Sequence, residues 1–176
     1  SEIIGAIEAP IFELSNRLGN TEDEIVRIPD TLLDYITAKM ENPVDTHGIS
    51  TGFPLFDQAV GGGMAPGDLH IICASAKNYK TGFVMNCANH MVKNGVKVLI
   101  LDSELRLEQQ QSRLLAMESG VATNDIRTGK FASSEEEIQK MRQAYACLKD
   151  KHLDFVSIAG KPFDEVMSIL RRWYHK

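Results

Sequence analysis

The eight residues Ala74-Ser75-Ala76-Lys77-Asn78-Tyr79-Lys80-Thr81 lie between a short apolar run and an amphipathic stretch. A lysine followed by a hydroxyl residue at a helix start ends the phosphate-cradling pattern GxxxxGK[ST]. In that pattern loop N–H groups and the helix N-terminus hold phosphate oxygens, the lysine neutralises terminal phosphate charge, and the hydroxyl holds magnesium. Lys80 and Thr81 take those two positions. Both glycines are replaced, by Ala74 and Tyr79, where the backbone ordinarily needs unusual torsions or a close approach to phosphate. The octapeptide therefore reads in two ways. It is a variant phosphate loop in which all eight residues are binding candidates, or a turn that shares only its last two residues with one.

A second chemical feature follows in Leu101-Asp102-Ser103-Glu104, where two carboxylates stand just past an apolar run. In an open α/β sheet, ligands bind at the carboxyl edge of the strands. A carboxylate there orients or deprotonates a water attacking a terminal phosphate. The same residues also suit a plainer role, as a strand-end acid capping the helix that begins near Leu105.

The elements that must position these groups are legible as periodicities. Ile3 to Leu18 carries a helical stripe broken at Pro10, and Pro29 to Met40 reads as a second helix that stops before Asn42-Pro43. These helices cap the same domain or form a linker that docks on a neighbouring subunit. From Gly48 the chain is rich in glycine turns. Leu69 to Cys73 then reads as a strand buried on both faces, Lys80 to Lys93 as a helix ending at Asn94-Gly95, and Val96 to Leu101 as the next strand. Paired in one βαβ unit, the two strands bring Lys80 and Glu104 to one sheet edge.

Beyond them, Leu105 to Glu118 reads as a helix. Ser133 or Ser134 caps another whose buried face is Ile138, Met141, Tyr145 and Leu148, Leu153 to Ile158 is a third strand, and Phe163 to Trp173 a last helix. Alternating strands and helices predict a doubly wound α/β fold.

Composition agrees with a globular chain. Of 176 residues, 43% are hydrophobic and 24% charged, which excludes a disordered or fibrous protein. No apolar run approaches the roughly 20 residues that span a bilayer, and the expected location is cytoplasmic. Cys73, Cys87 and Cys147 lack zinc-ligand spacing and are expected as free thiols in the core. The net charge of −5 gives no global attraction to nucleic acid. His70 reads as a satisfied core or edge residue, and the basic end at Arg171, Arg172, His175 and Lys176 as a complement to its helix dipole.

The order Thr51-Gly52-Phe53-Pro54-Leu55-Phe56-Asp57, the loop, Asp102-Ser103-Glu104-Leu105, Gly120-Val121 and Ile126-Arg127-Thr128-Gly129-Lys130 resembles the ATPase domain of DnaB-type replicative helicases. The corresponding stretches of that family read TGF-x-x-LD, a P-loop, S-L-E-M and a glycine-to-R-T-G segment. The resemblance covers Gly48 to Phe131 well. The loop itself is similar to that of T4-type phage strand-exchange recombinases, which read G-P-S-K-S-F-K-S and carry D-S-E after the next strand. The mixture suggests a phage-like protein.

The resemblance implies a RecA-like P-loop NTPase core with a three-layer, mostly parallel sheet over residues 48–176, preceded by a helical linker segment over 1–47. It implies ATP and Mg2+ as cofactors, with Lys80 and Thr81 as the nucleotide lysine and the magnesium-associated threonine, and Glu104 as the catalytic glutamate. Asp102 stands where the family has a small polar residue. The implied activity is ATP-driven translocation on single-stranded DNA, in a homo-oligomeric, hexameric ring. The later Asp-bearing strand, the DNA loops and the arginine finger are not identifiable, so the core reads as incomplete at its C-terminus. Two further readings share these residues: a RecA-like recombination or repair ATPase, and an interaction module that no longer binds nucleotide.

Overall fold

The computed structural model describes residues 26–44, 48–75 and 77–175. The chain divides into two compact units, Ser1–Asp45 and Thr46–Lys176. The helix expected over Ile3 to Leu18 lies outside the described residues. In the first unit α1 runs over Ile28–Glu41 with proline in its first turn, where the missing N–H has no intrahelical partner to lose.

The second unit begins with α2 (Pro54–Ala59) and α3 (Lys80–Lys93). There follow β1 (Val98–Asp102), α4 (Leu107–Ser119), α5 (Thr123–Thr128) and a 3-10 turn over Lys130–Ser133. α6 (Glu135–Leu148), β2 (Leu153–Ser157) and α7 (Phe163–Tyr174) complete it. Local chemistry explains the ends. Ser134 Oγ accepts the Glu137 N–H at 3.4 Å, with three glutamates in the first turn of α6. Gly120 and Gly129 stop α4 and α5 at φ 70° and 75°, left-handed torsions that glycine adopts without Cβ strain.

β1 and β2 pair in parallel, from Val98 opposite Leu153 to Asp102 opposite Ser157. The connection between them runs through α4, α5 and α6. α3 packs against both strands and against α4, while α4 packs on α5 and α6. The buried apolar residues are Met85, Cys87, Ala88 and Val92 on α3, Val121 just after α4 and Ala144 on α6. Trp173 Nε1 donates to Asp154 Oδ2 at 2.7 Å and ties α7 to β2. No helix among the described residues is long and apolar enough to cross a membrane.

Several expectations are corrected. Leu69 to Cys73 is not a strand of the sheet: it makes no ladder among the described residues, and Leu69 and Ile71 are 86% and 77% exposed. An apolar run signals burial, but a strand needs a partner backbone, and β1 takes β2 instead. The βαβ unit expected to join Leu69–Cys73 to Val96–Leu101 is therefore not formed among the described residues. Cys73 and Cys147 are exposed and only Cys87 is buried; Cys73 belongs to the unpaired segment, and Cys147 lies off the packed face of α6. Tyr145 is 65% exposed while Ala144 is buried, because the smaller residue lets α6 approach α4 closely. His70 is half-buried with no hydrogen-bond partner on Nε2, 3.9 Å from Asp68, so it is not a satisfied histidine; the unpaired segment that carries it offers it no sheet neighbour.

Candidate functional site

Residues 74, 75 and 77–81 all line a single cavity of about 940 Å³; Ala76 lies outside the described residues. The turn into α3 is made by two left-handed residues, Lys77 at φ 65° and Tyr79 at φ 54°. Asn78 N–H donates to the Ser75 carbonyl at 3.2 Å, and Phe83 N–H donates to the Tyr79 carbonyl at 2.9 Å as the helix begins. A Cβ in this conformation costs roughly 1–2 kcal/mol per residue. Tyr79 thus adopts the torsion that glycine supplies in the GxxxxGK[ST] pattern, and its ring is carried outward, 88% exposed. Lys80 and Thr81 are the first two residues of α3, next to its free N–H groups and the positive end of its dipole.

Glu104, Arg113, Met117 and Thr123 line the same cavity. The expected route to this meeting, a shared βαβ unit, is not the one taken. Instead α3 packs against β1, and the chain leaving the C-terminal end of β1 reaches Glu104 within two residues. Arg113 is a cation of this site that the sequence reading missed; its place at i+9 from Glu104, on the helix that follows it, is the signal that was available.

The two carboxylates are in different states. Asp102 Oδ1 accepts the Glu104 and Leu105 N–H groups, each at 2.7 Å, and Oδ2 accepts Gln110 Nε2 at 2.5 Å. Burial pushes its carboxyl up, but these N–H donors and the nearby Arg113 outweigh that and hold it below its ordinary value. Asp102 is the cap of the turn, whereas the Glu104 side chain is exposed toward the cavity.

The Thr51-to-Asp57 segment fastens α3. Asp57 accepts the Thr51 N–H at 3.0 Å, the Thr51 hydroxyl at 2.5 Å and the Ser50 hydroxyl at 2.8 Å, and Ser50 Oγ lies 3.2 Å from His90 Nε2 on α3. Burial raises the Asp57 carboxyl, but the Thr51 and Ser50 hydroxyls, the Thr51 N–H and His90 together leave it lowered. Gly52, at φ 84°, packs so that a Cβ would stand 2.7 Å from the His90 ring. Phe83 is covered by Phe53 and Phe56, with ring centroids 4.9 and 5.6 Å away.

Asp154 takes no part in the cavity, being engaged by Trp173. Among the described residues no three His, Cys, Asp or Glu side chains gather as a metal cluster.

Residues 48–176 match the family model of the DnaB-like helicase C terminal domain. The replicative DNA helicase DnaB of Haemophilus influenzae is 27% identical over 99% of this chain, and that of Pasteurella multocida 33% identical over 73%. The chain spans 38% and 29% of the lengths of these two relatives. Among solved structures, one described as an ATPase domain aligns with a TM-score of 0.73 at 18% identity, over 83% of this chain and 51% of the other. A DnaB-like replicative helicase, whose structure was described with its interactions with primase, aligns with a TM-score of 0.72 at 20% identity over 97% of this chain and 41% of the other. The fold is thus the RecA-like α/β fold of these ATPase domains. With 129 of its residues, 48 to 176, on the family model, this chain belongs to the DnaB-like helicase C-terminal domain family.

Proposed function

We propose that this chain is part of an ATP-dependent replicative DNA helicase that couples ATP binding and hydrolysis to translocation on single-stranded DNA. The observation that carries the reading is the cavity lined by the described residues of 74–81 together with Glu104. A left-handed turn, a helix N-terminus, a lysine and a hydroxyl residue form a surface suited to phosphate, and a free carboxylate across from them suits a water. The residues fit a nucleotide with Mg2+.

In this reading the loop N–H groups and Lys80 hold the phosphates, and the Thr81 hydroxyl holds the magnesium ion. A magnesium ion held there would supply positive charge beside the phosphates. Glu104 orients the attacking water and takes up its proton. Arg113 adds positive charge to the cavity wall. The proposal includes residues 1–47 as a linker segment, residues 48–176 as the N-terminal part of the ATPase domain, a hexameric homo-oligomer, a phage-like origin for the variant loop, and a cytoplasmic setting that suits three free thiols.

The test is a titration of a fluorescent ATP analogue into the chain and into Lys80→Ala, followed by duplex unwinding by the full-length protein. Saturable binding lost in the variant, and unwinding that requires ATP, are expected. Strand exchange without unwinding supports the recombinase reading instead, and no binding by the wild-type chain supports the interaction module.

A further inference from the structure

The end of β1 holds more machinery than a helix cap requires. Asp102 uses one oxygen for two backbone N–H groups of the turn that carries Glu104, and its other oxygen for Gln110 in the first turns of α4. Gln110 is only 5% exposed, and its Oε1 has no partner. An orphaned buried acceptor is unfavourable, so the Gln110 amide is committed to Asp102 at a cost in stability. The result is a triangle of strand end, turn and helix around one carboxylate. The Glu104 side chain is exposed in that turn and lines the cavity together with residues 74, 75 and 77–81.

We propose that Asp102 and Gln110 are positioning residues for the phosphoryl-transfer reaction, acting together to fix the backbone from which Glu104 reaches the attacking water. This rests on the reading of Glu104 given above. Three hydrogen bonds to a carboxylate, two of them from the adjoining turn, restrain the Glu104 main chain before substrate arrives. A base held in place in advance gains rate because its orientation no longer has to be found in the transition state. Asp102 itself, with both oxygens engaged, is not the base. Asp102 and Gln110 line a second cavity with Lys80 and Thr81, but the hydrogen bonds of the clamp all run among the strand end, the turn and α4. Loss of the clamp lowers turnover and leaves nucleotide affinity in place.

The experiment is ATP hydrolysis by the full-length protein, measured for kcat and KM in Asp102→Ala, Asp102→Asn, Glu104→Gln and the double variant Asp102→Ala/Glu104→Gln. Asp102→Ala is expected to lose about 10- to 100-fold in kcat with KM for ATP within about 2-fold, the pattern of an interaction made only in the transition state. In the Glu104→Gln background the same change is expected to cost less than about 2-fold, because the clamp acts only through Glu104. Asp102→Asn keeps the shape, and a reversed Gln110 amide pairs with it, so its kcat is expected within about 3-fold of wild type. Where Asp102→Ala fails to fold, Gln110→Leu is read in its place, with a loss of about 3- to 10-fold that likewise disappears in the Glu104→Gln background.

Full kcat in Asp102→Ala beside a crippled Glu104→Gln overturns the clamp and leaves the role of Glu104 standing. Equal losses in both backgrounds overturn it in favour of a purely structural cap. Undiminished hydrolysis by Glu104→Gln overturns the reading of Glu104 and the clamp with it.

Discussion

The ring of Phe53 lies on that of Phe83 with centroids 4.9 Å apart and 24° between their planes. Phe83 is the fourth residue of α3, whose first residue is Lys80. The segment from Thr51 to Asp57 thereby grips α3, through two aromatic rings near its start and His90 farther along. Phe83→Ala removes both ring contacts, and we predict a loss of about 2 kcal/mol, below the range for a fully buried phenylalanine because Phe83 is only partly covered. Urea denaturation at constant m-value measures it. A loss under about 0.5 kcal/mol, the level of an ordinary surface change, contradicts the grip.

Asp57 sets an acid limit on the same grip. Its folded pKa is lowered from the ordinary 3.8. The sign follows from linkage: a depressed carboxylate contributes stability that is complete above its unfolded pKa and is lost as pH falls through the folded value. Asp57→Asn is expected to be less stable than wild type at neutral pH, with the gap closing below about pH 4. Denaturation midpoints between pH 7 and 3 test this, and a gap that stays constant with pH rules out the ionised form as the source.

Tyr79 is the non-glycine residue whose left-handed torsion turns the chain into α3. Tyr79→Gly relieves roughly 1–2 kcal/mol of backbone strain against about 0.5–1 kcal/mol of added unfolded-state freedom. The net expectation is unchanged or slightly higher stability. Tyr79→Val, β-branched in the same conformation, is expected to destabilise by about 1 kcal/mol or more. Thermal melts of the pair decide, and a Val variant as stable as the Gly variant contradicts the assigned torsion.

Glu118 accepts from Lys93 Nζ at 2.6 Å and from Asn89 Nδ2 at 2.6 Å, joining α3 to α4 while its own side chain is 7% exposed. Burial raises its carboxyl, and the Lys93 and Asn89 donors lower it further than that. Glu118→Gln leaves Lys93 unpaired and is expected to cost about 1–3 kcal/mol at pH 7. Chemical denaturation reads the change, and a neutral result shows that the pair adds nothing beyond packing.

Lys80→Ala in the full-length protein is expected to abolish ATP turnover by removing charge from the β- and γ-phosphates. The 176-residue chain alone is expected to hydrolyse ATP weakly, since an arginine finger from a neighbour is worth about 10³–10⁵ in rate. Steady-state phosphate release measures both. Robust hydrolysis by the isolated chain, unaffected by Lys80→Ala, contradicts the site and its dependence on further sequence.

Local pattern alone determined much of this protein. The apolar spacing of residues 80–93 and the Asn94-Gly95 stop determine α3 to the residue, the serine pair Ser133-Ser134 with the glutamates after it determines the start of α6 to within one residue, and the order of short motifs determines the family. These signals need only neighbours within a turn or two, where helix period and cap chemistry act. The tertiary structure decided which strands meet. Leu69 to Cys73 and Val98 to Asp102 are equally apolar, yet pairing depends on a backbone far along the chain, and β1 found Leu153 to Ser157. It also decided between the two acids after β1. Asp102 and Glu104 differ by two positions and one methylene, and only the surrounding N–H groups make one a half-buried cap and leave the other open to the cavity.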